Sequence, residues 1–223
     1  MRVSCFLALC LWLAAAPSVW GEPFVDLYGG WSKAKATDVS ASQQSCFVVG
    51  CTGTARTHQS VSFHSGAAGG VRGGYWFATQ SWFGIAGDLT YSRSTSPPVE
   101  LDSVMLAVTP LLRLPFWSTA EQRSGLLQPY LGLGPTLVLH HVAADFRPGS
   151  SIAMDGWSPA VGWTARAGLA VSLSQHVALF SEWRLSQERV AFRRAGFFGV
   201  GTQDRLDYTN TTQQYVFGFS YRF

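Results

Sequence analysis

The stretch WFGIAGDLTYS, residues 82–92, separates into two faces when read in steps of two. Phe83, Ile85, Leu89 and Tyr91 fall on one side, and Gly84, Ala86, Asp88, Thr90 and Ser92 on the other. Successive side chains of a β-strand point to opposite faces, so this is a strand that is apolar on one side and small or polar on the other. Seven further runs repeat the pattern, at 23–33, 67–77, 103–114, 129–140, 160–171, 177–186 and 213–223. Pro110 interrupts the apolar face of one, and Phe180 sits on the polar side of another. In the last, Tyr215, Phe217, Phe219, Tyr221 and Phe223 alternate with Gln214, Val216, Gly218, Ser220 and Arg222.

Composition limits what eight such strands can build. The 223 residues are 47% hydrophobic and 14% aromatic but only 13% charged, about half the charged share of a soluble domain. Lys33 and Lys35 are the only lysines, and the +3 net charge comes from scattered arginines. No basic cluster follows a phosphate backbone, so nucleic acid is excluded as a partner. Residues 1–21 read as a secretory signal: Arg2, an apolar stretch from Cys5 to Val19, then Val19-Trp20-Gly21 at the cleavage point. The rival, a membrane anchor, is disfavoured by the short stretch and Pro17. Removal leaves one domain, 22–223, and two cysteines, Cys46 and Cys51. Export to an oxidising compartment makes them a candidate loop disulfide. Metal binding by the two thiols is the alternative, though His58 and His64 nearby lack a recognisable ligand spacing.

With no other run of helix-spanning length, the route into a membrane is a closed barrel. The expected fold is all-β: an eight-stranded antiparallel up-and-down transmembrane β-barrel. Expected connections are short near Gln80 and Ser174, modest at 116–128, and long and polar at 34–64, 94–101, 140–160 and 187–208. Short turns on one side and long loops on the other are the asymmetry of outer-membrane barrels, with both termini periplasmic. A soluble lipocalin-like barrel would carry Lys and Glu on its polar face. Here that face is mostly Gly, Ala, Ser and Thr, as a narrow interior requires. Trp31, Phe77, Trp82, Tyr130 and Phe223, near strand ends, fit aromatic girdles.

GGVRGGYWF at 69–77, FGIAGDLTYSRS at 83–94, PYLGLGP at 129–135, LFSEWRLS at 179–186 and the terminal YVFGFSYRF together resemble the small eight-stranded outer-membrane barrels of the OmpA-like and OmpX-like group. The resemblance spans the chain after the signal. It implies a Gram-negative cell outer membrane, lipids and lipopolysaccharide as surroundings, and periplasmic chaperones and the barrel-assembly machinery as partners in biogenesis. It also implies that Tyr215, Phe217, Phe219, Tyr221 and Phe223 are the assembly signal. The chain ends at Phe223, so a periplasmic cell-wall-binding domain is not carried over from the OmpA pattern. A monomer acting structurally, or through surface loops, is the expected function.

Charged residues on the inward face are Asp26, Arg72, Asp88, Arg113, Arg166, Glu182, Arg184 and Arg222. A turn centred on Gln80 sets Arg72 opposite Asp88, and one centred on Ser174 sets Arg166 opposite Glu182. Unpaired charge in a desolvated lumen costs several kcal/mol, which points to an interior network plugging the barrel. A narrow pore is the alternative. No cofactor is expected. Catalysis on lipopolysaccharide acyl chains would need a nucleophile, a base and an acid, and the candidates are His140 or His141 with Asp145, Ser150, Ser151 or Asp155. No spacing links them, and adjacent histidines on a strand point to opposite faces.

Overall fold

The computed structural model describes residues 21–223 apart from 36, 48–49, 62–64, 97–98, 119–124, 146–152 and 195–200; within 37–61, 95–101, 142–155 and 191–208 it describes the backbone alone. The signal segment lies outside the described residues. Ten strands form, β1 (Gly21–Ala34), β2 (Thr37–Phe47), β3 (Gly50–Val61), β4 (Gly66–Phe77), β5 (Phe83–Ser96), β6 (Val99–Arg113), β7 (Leu127–Asp145), β8 (Ala153–Ser172), β9 (Val177–Arg194) and β10 (Gly201–Arg222). Eight of them make a closed antiparallel ring, β1-β4-β5-β6-β7-β8-β9-β10, sealed where β10 returns to β1 from Phe24↔Arg222 to Ala34↔Thr212.

The other two strands lie where a long polar loop was expected. β2 continues β1 along the same edge of β10, from Asp207↔Ser40 to Gly201↔Cys46, and β3 pairs back on β2 from Thr37↔Val61 onward. Together they prolong the first hairpin. The expected loops at 94–101, 140–160 and 187–208 are likewise largely strand, since pairing persists to Ser96↔Val99, Asp145↔Ala153 and Asp204↔Arg194. Polar sequence masked these extensions because a ribbon wet on both faces shows no apolar period. The opposite end, which holds Gly21 and Phe223, carries the short connections at 78–82 and 173–176, and residues 114–118 and 125–126 lie there too.

Phase sets the two faces. Leu27, Val71, Ile85, Leu89, Leu106, Leu131, Leu133, Phe217 and Phe219 point out and are exposed, whereas Asp26, Arg72, Asp88, Thr109, Thr136 and Gln214 on the same strands are buried inside. An apolar exterior around a polar interior is the arrangement of a barrel in lipid. Rings gather at both rims: Trp31 stacks on Tyr215 at one, Phe77 on Phe83 at the other, where Tyr221 meets Phe223 edge to face. Tyr130 is not in a girdle. It points into the lumen and is only 7% exposed. Pro110 faces outward and interrupts the β6–β7 ladder between Ala107↔Thr136 and Leu111↔Gly132, as a residue without an N–H must.

The large inward side chains follow one rule. Phe24 stands opposite Gly74, Tyr28 opposite Gly70, Trp76 opposite Gly84, Leu111 opposite Gly132, Tyr130 opposite Gly168 and Phe180 opposite Gly218. In each pair a methyl added to the glycine would collide with the large partner. All six lean onto the next strand in the same direction around the barrel. Glycine thus makes room for a ring that a narrow eight-stranded lumen could not otherwise hold.

Candidate functional site

Inside the wall the polar residues form layers. The middle layer begins as a row across three strands, Asp26 on β1, Arg72 on β4 and Asp88 on β5, set side by side by the registers Asp26↔Arg72 and Arg72↔Asp88. Arg72 contacts Asp26 at 3.2 Å and donates from Nε to Asp88 Oδ1 at 3.2 Å. Its Nη2 reaches across the lumen to both oxygens of Glu182 on β9, at 2.8 and 2.7 Å. Arg166 donates to Asp88 Oδ2 at 2.5 Å and approaches Glu182 at 3.9 Å. Arg184 binds Glu182, lies 3.4 Å from Asp88, and rests over the ring of Tyr28. The hydroxyls of Tyr130 and Tyr28 complete the layer, donating to Glu182 at 2.7 Å and Asp88 at 3.0 Å. Three guanidinium groups therefore face three carboxylates, each of the six residues at most 3% exposed.

The β8–β9 register differs from the Ser174-centred expectation. It sets Arg166 opposite Arg184 and Gly168 opposite Glu182. The turn between the strands is closed by Leu173 N–H donating to Val177 O at 2.8 Å, with Ser174 Oγ accepting from Val177 N–H at 3.1 Å, so the centre of the pairing moves one residue along the chain, from Ser174 to Gln175. Two arginines side by side are tolerated because both reach the same two carboxylates.

A second layer closes the end that holds Gly21 and Phe223. Arg113 donates to Glu22 at 2.9 Å and to the Ser81 carbonyl at 2.7 Å while stacking on Trp76. Arg222 contacts the same Glu22 at 3.2 Å and donates to Gln128 at 2.8 Å. Between the two layers the lumen keeps a void of about 30 Å³, room for a water or two.

Beyond the middle layer, toward the long ribbons, lies another void of about 30 Å³ bordered by Ser103, His140, Glu188, Asn210 and Gln214. Ser103 and His140 are register partners, with Ser103 Oγ 2.8 Å from His140 Nδ1, and His140 Nε2 lies 3.5 Å from Glu188 Oε1. Hydroxyl, imidazole and carboxylate in a row is the arrangement that activates an acyl-transfer nucleophile. All three face the lumen rather than the lipid, and the void admits water or an ion but no acyl chain. His141 turns the other way, against Trp157 at 4.9 Å. The side chains of Asp145, Ser150, Ser151 and Asp155 lie outside the described residues, as do those of Cys46 and Cys51, although the backbone register sets Cys46 opposite Cys51.

Sequence reading found the middle layer's charges but not its tyrosines, and it missed Glu22, Gln128 and Glu188. The alternation marks Glu188 as inward, since it follows Glu182, Arg184 and Ser186 in steps of two on β9. The expected loop at 187–208 begins one residue before it.

The model of the outer membrane protein beta-barrel domain matches residues 5–223. Among solved structures, the outer membrane protein OprG of Pseudomonas aeruginosa is 15% identical over 91% of this chain and 96% of its own, with a TM-score of 0.51. Neisserial surface protein A is 15% identical over 86% and 97%, with a TM-score of 0.44. Ail, the attachment invasion locus protein of Yersinia pestis, is 13% identical over 91% and 99%, with a TM-score of 0.43. A search of curated proteins finds no match. An apolar wall around a charge-paired interior is what an outer-membrane barrel requires, and this chain belongs to the outer membrane protein β-barrel domain family.

Proposed function

We propose that the barrel is a closed, monomeric platform in the outer membrane that acts outside the cell through its long ribbons, the chain termini facing the periplasm. One observation carries this reading: paired charges fill the cross-section of the lumen, with voids of only about 30 Å³ on either side, while the strands run on past the apolar belt as hairpins. A wall that continues beyond the lipid around a filled channel suits contact better than transport. In the same reading residues 1–21 are removed on export, and the outward row Tyr215, Phe217, Phe219, Tyr221 and Phe223 is handed to the barrel-assembly machinery. Cys46 and Cys51 close the tip of the first ribbon as a disulfide. Exposed Arg189, at the base of the β9–β10 ribbon, is placed for lipopolysaccharide phosphates.

The test is conductance together with accessibility. Folded protein in planar bilayers should show no stepwise current. The double change Arg72→Ala with Asp88→Ala should lower the unfolding midpoint, and intact stability with a new current would mean that the layer lines a pore. On whole cells, protease should cut within 37–61 or 201–207 and spare both termini; cleavage at the termini alone would invert the orientation.

A further inference from the structure

The void on the ribbon side of the middle layer differs from its surroundings in what faces it. Four polar atoms of buried bordering residues lack a hydrogen-bond partner: His140 Nε2, Glu188 Oε2, Asn210 Oδ1 and Gln214 Oε1. The four residues are at most 4% exposed. Among the described residues neither arginine nor lysine borders the void, and Glu188 is the one carboxylate that does. A buried carboxylate is strongly disfavoured unless it is paired or bound to a metal.

The protonation pattern of the imidazole completes the picture. Ser103 Oγ lies 2.8 Å from His140 Nδ1. When the hydroxyl accepts from Nδ1–H, the lone pair on Nε2 faces the void, which is how a metal-binding histidine is held from behind. The separation of 3.5 Å between Nε2 and Glu188 Oε1 is close to the gap of about 3.0–3.5 Å between two ligands that each sit about 2.1 Å from one ion. Asn210 is fixed on its other side, donating from Nδ2 to Glu188 Oε1 at 2.6 Å and to Thr212 Oγ1 at 3.2 Å. Four acceptors on residues that border one void then exceed what one water, with two hydrogens, can satisfy.

We propose that Glu188, His140, Asn210 and Gln214 bind a single divalent first-row metal ion inside the barrel, with Ser103 orienting the imidazole. One imidazole among oxygen ligands favours the manganese-to-zinc series over calcium or magnesium. Among the described residues no three His, Cys, Asp or Glu side chains form a cluster able to hold a metal; amide oxygens complete this set, and its members come from three strands.

Cobalt(II) is the probe, because its visible absorption reports coordination. The folded, detergent-solubilised protein, stripped with chelator, should take up one equivalent, displaceable by zinc. His140→Ala and Glu188→Gln should each weaken binding by more than tenfold, and Ser103→Ala by about tenfold through the loosened ring. His141→Ala, and Cys46→Ser with Cys51→Ser, should leave binding unchanged. Heat-dependent gel mobility confirms that each variant is folded, and if Glu188→Gln fails to fold, His140→Ala and Ser103→Ala carry the comparison. The proposal is overturned if the wild type takes up no stoichiometric cobalt, if binding survives the His140 and Glu188 changes, or if it is lost instead with His141 or the cysteines. The first of these results leaves a His140–Glu188 ion pair as the account of the buried charge.

Discussion

Two neighbouring zones of one lumen treat charge in opposite ways. In the middle layer Arg72, Arg166 and Arg184 meet Asp26, Asp88 and Glu182, and each side chain touches at least one of opposite sign. A few residues further along β9, no guanidinium among the described residues pairs with Glu188, whose ionisable neighbour there is the imidazole of His140. The walls are the same, built on the same alternation. The middle layer is bridged across the full width of the lumen, from β4 and β5 to β8 and β9, so that removing any member leaves an opposite charge stranded away from water. The far zone has no such counterpart to strand. Closure of this barrel therefore rests on matched charge, with rings from Phe24, Tyr28, Tyr130 and Phe180 filling the gaps between.

The largest effect should come from Glu182→Ala. It removes the acceptor of two Arg72 hydrogen bonds, of Arg184 and of the Tyr130 hydroxyl. Breaking a buried pair from one side costs about 3–5 kcal/mol, to be read from urea unfolding of the refolded barrel. A loss under about 1 kcal/mol would mean that water reaches the layer and that the contrast between the zones is false.

Gly168→Ala probes the same layer through its packing. The added methyl would lie 2.4 Å from Cζ of Tyr130, so the ring must swing and its hydroxyl leave Glu182. A cost of about 1–3 kcal/mol is expected, in the range of core overpacking. Tyr130→Phe keeps the ring and removes the hydroxyl alone, for about 1 kcal/mol or slightly more because the acceptor is charged. Should Gly168→Ala cost no more than Tyr130→Phe, the glycine provides no space that matters.

How far these features could be read in advance follows from what each one depends on. The number of wall strands, the apolar exterior and the inward arginines depend on a period of two, which each of the eight wall strands displays. The position of Tyr130 was misjudged because its nearness to a strand end suggested a rim. Parity with Gly132 and Gly134 on the same strand marks it as inward, and so does the glycine that faces it on β8. The Arg166 pairing missed by one register step because it depends on turn geometry at 173–176, which apolar pattern does not encode. Glu188 falls within the expected 187–208 loop, and Asn210 between that loop and the last expected strand at 213–223. Asn210-Thr211-Thr212 has the pattern of a glycosylation sequon, yet Asn210 is 2% exposed inside the wall, where no glycan fits.

The smallest stability effect, and the most informative about the far zone, is expected for Glu188→Gln with chelator present. The amide keeps the shape of the side chain and still accepts from Asn210 Nδ2, the one hydrogen bond that the structure gives Glu188. No guanidinium loses a partner, and a carboxylate that was costly to bury is gone. The unfolding midpoint should therefore stay within about 0.5 kcal/mol of wild type or rise. Adding metal should then stabilise the wild type and not the variant, because a ligand that binds only the folded state raises stability in proportion to the logarithm of its concentration over Kd. If instead Glu188→Gln destabilises the chelated protein as strongly as Glu182→Ala does, Glu188 is paired as tightly as the middle layer. The lumen would then hold one continuous charge network rather than two zones of different kind.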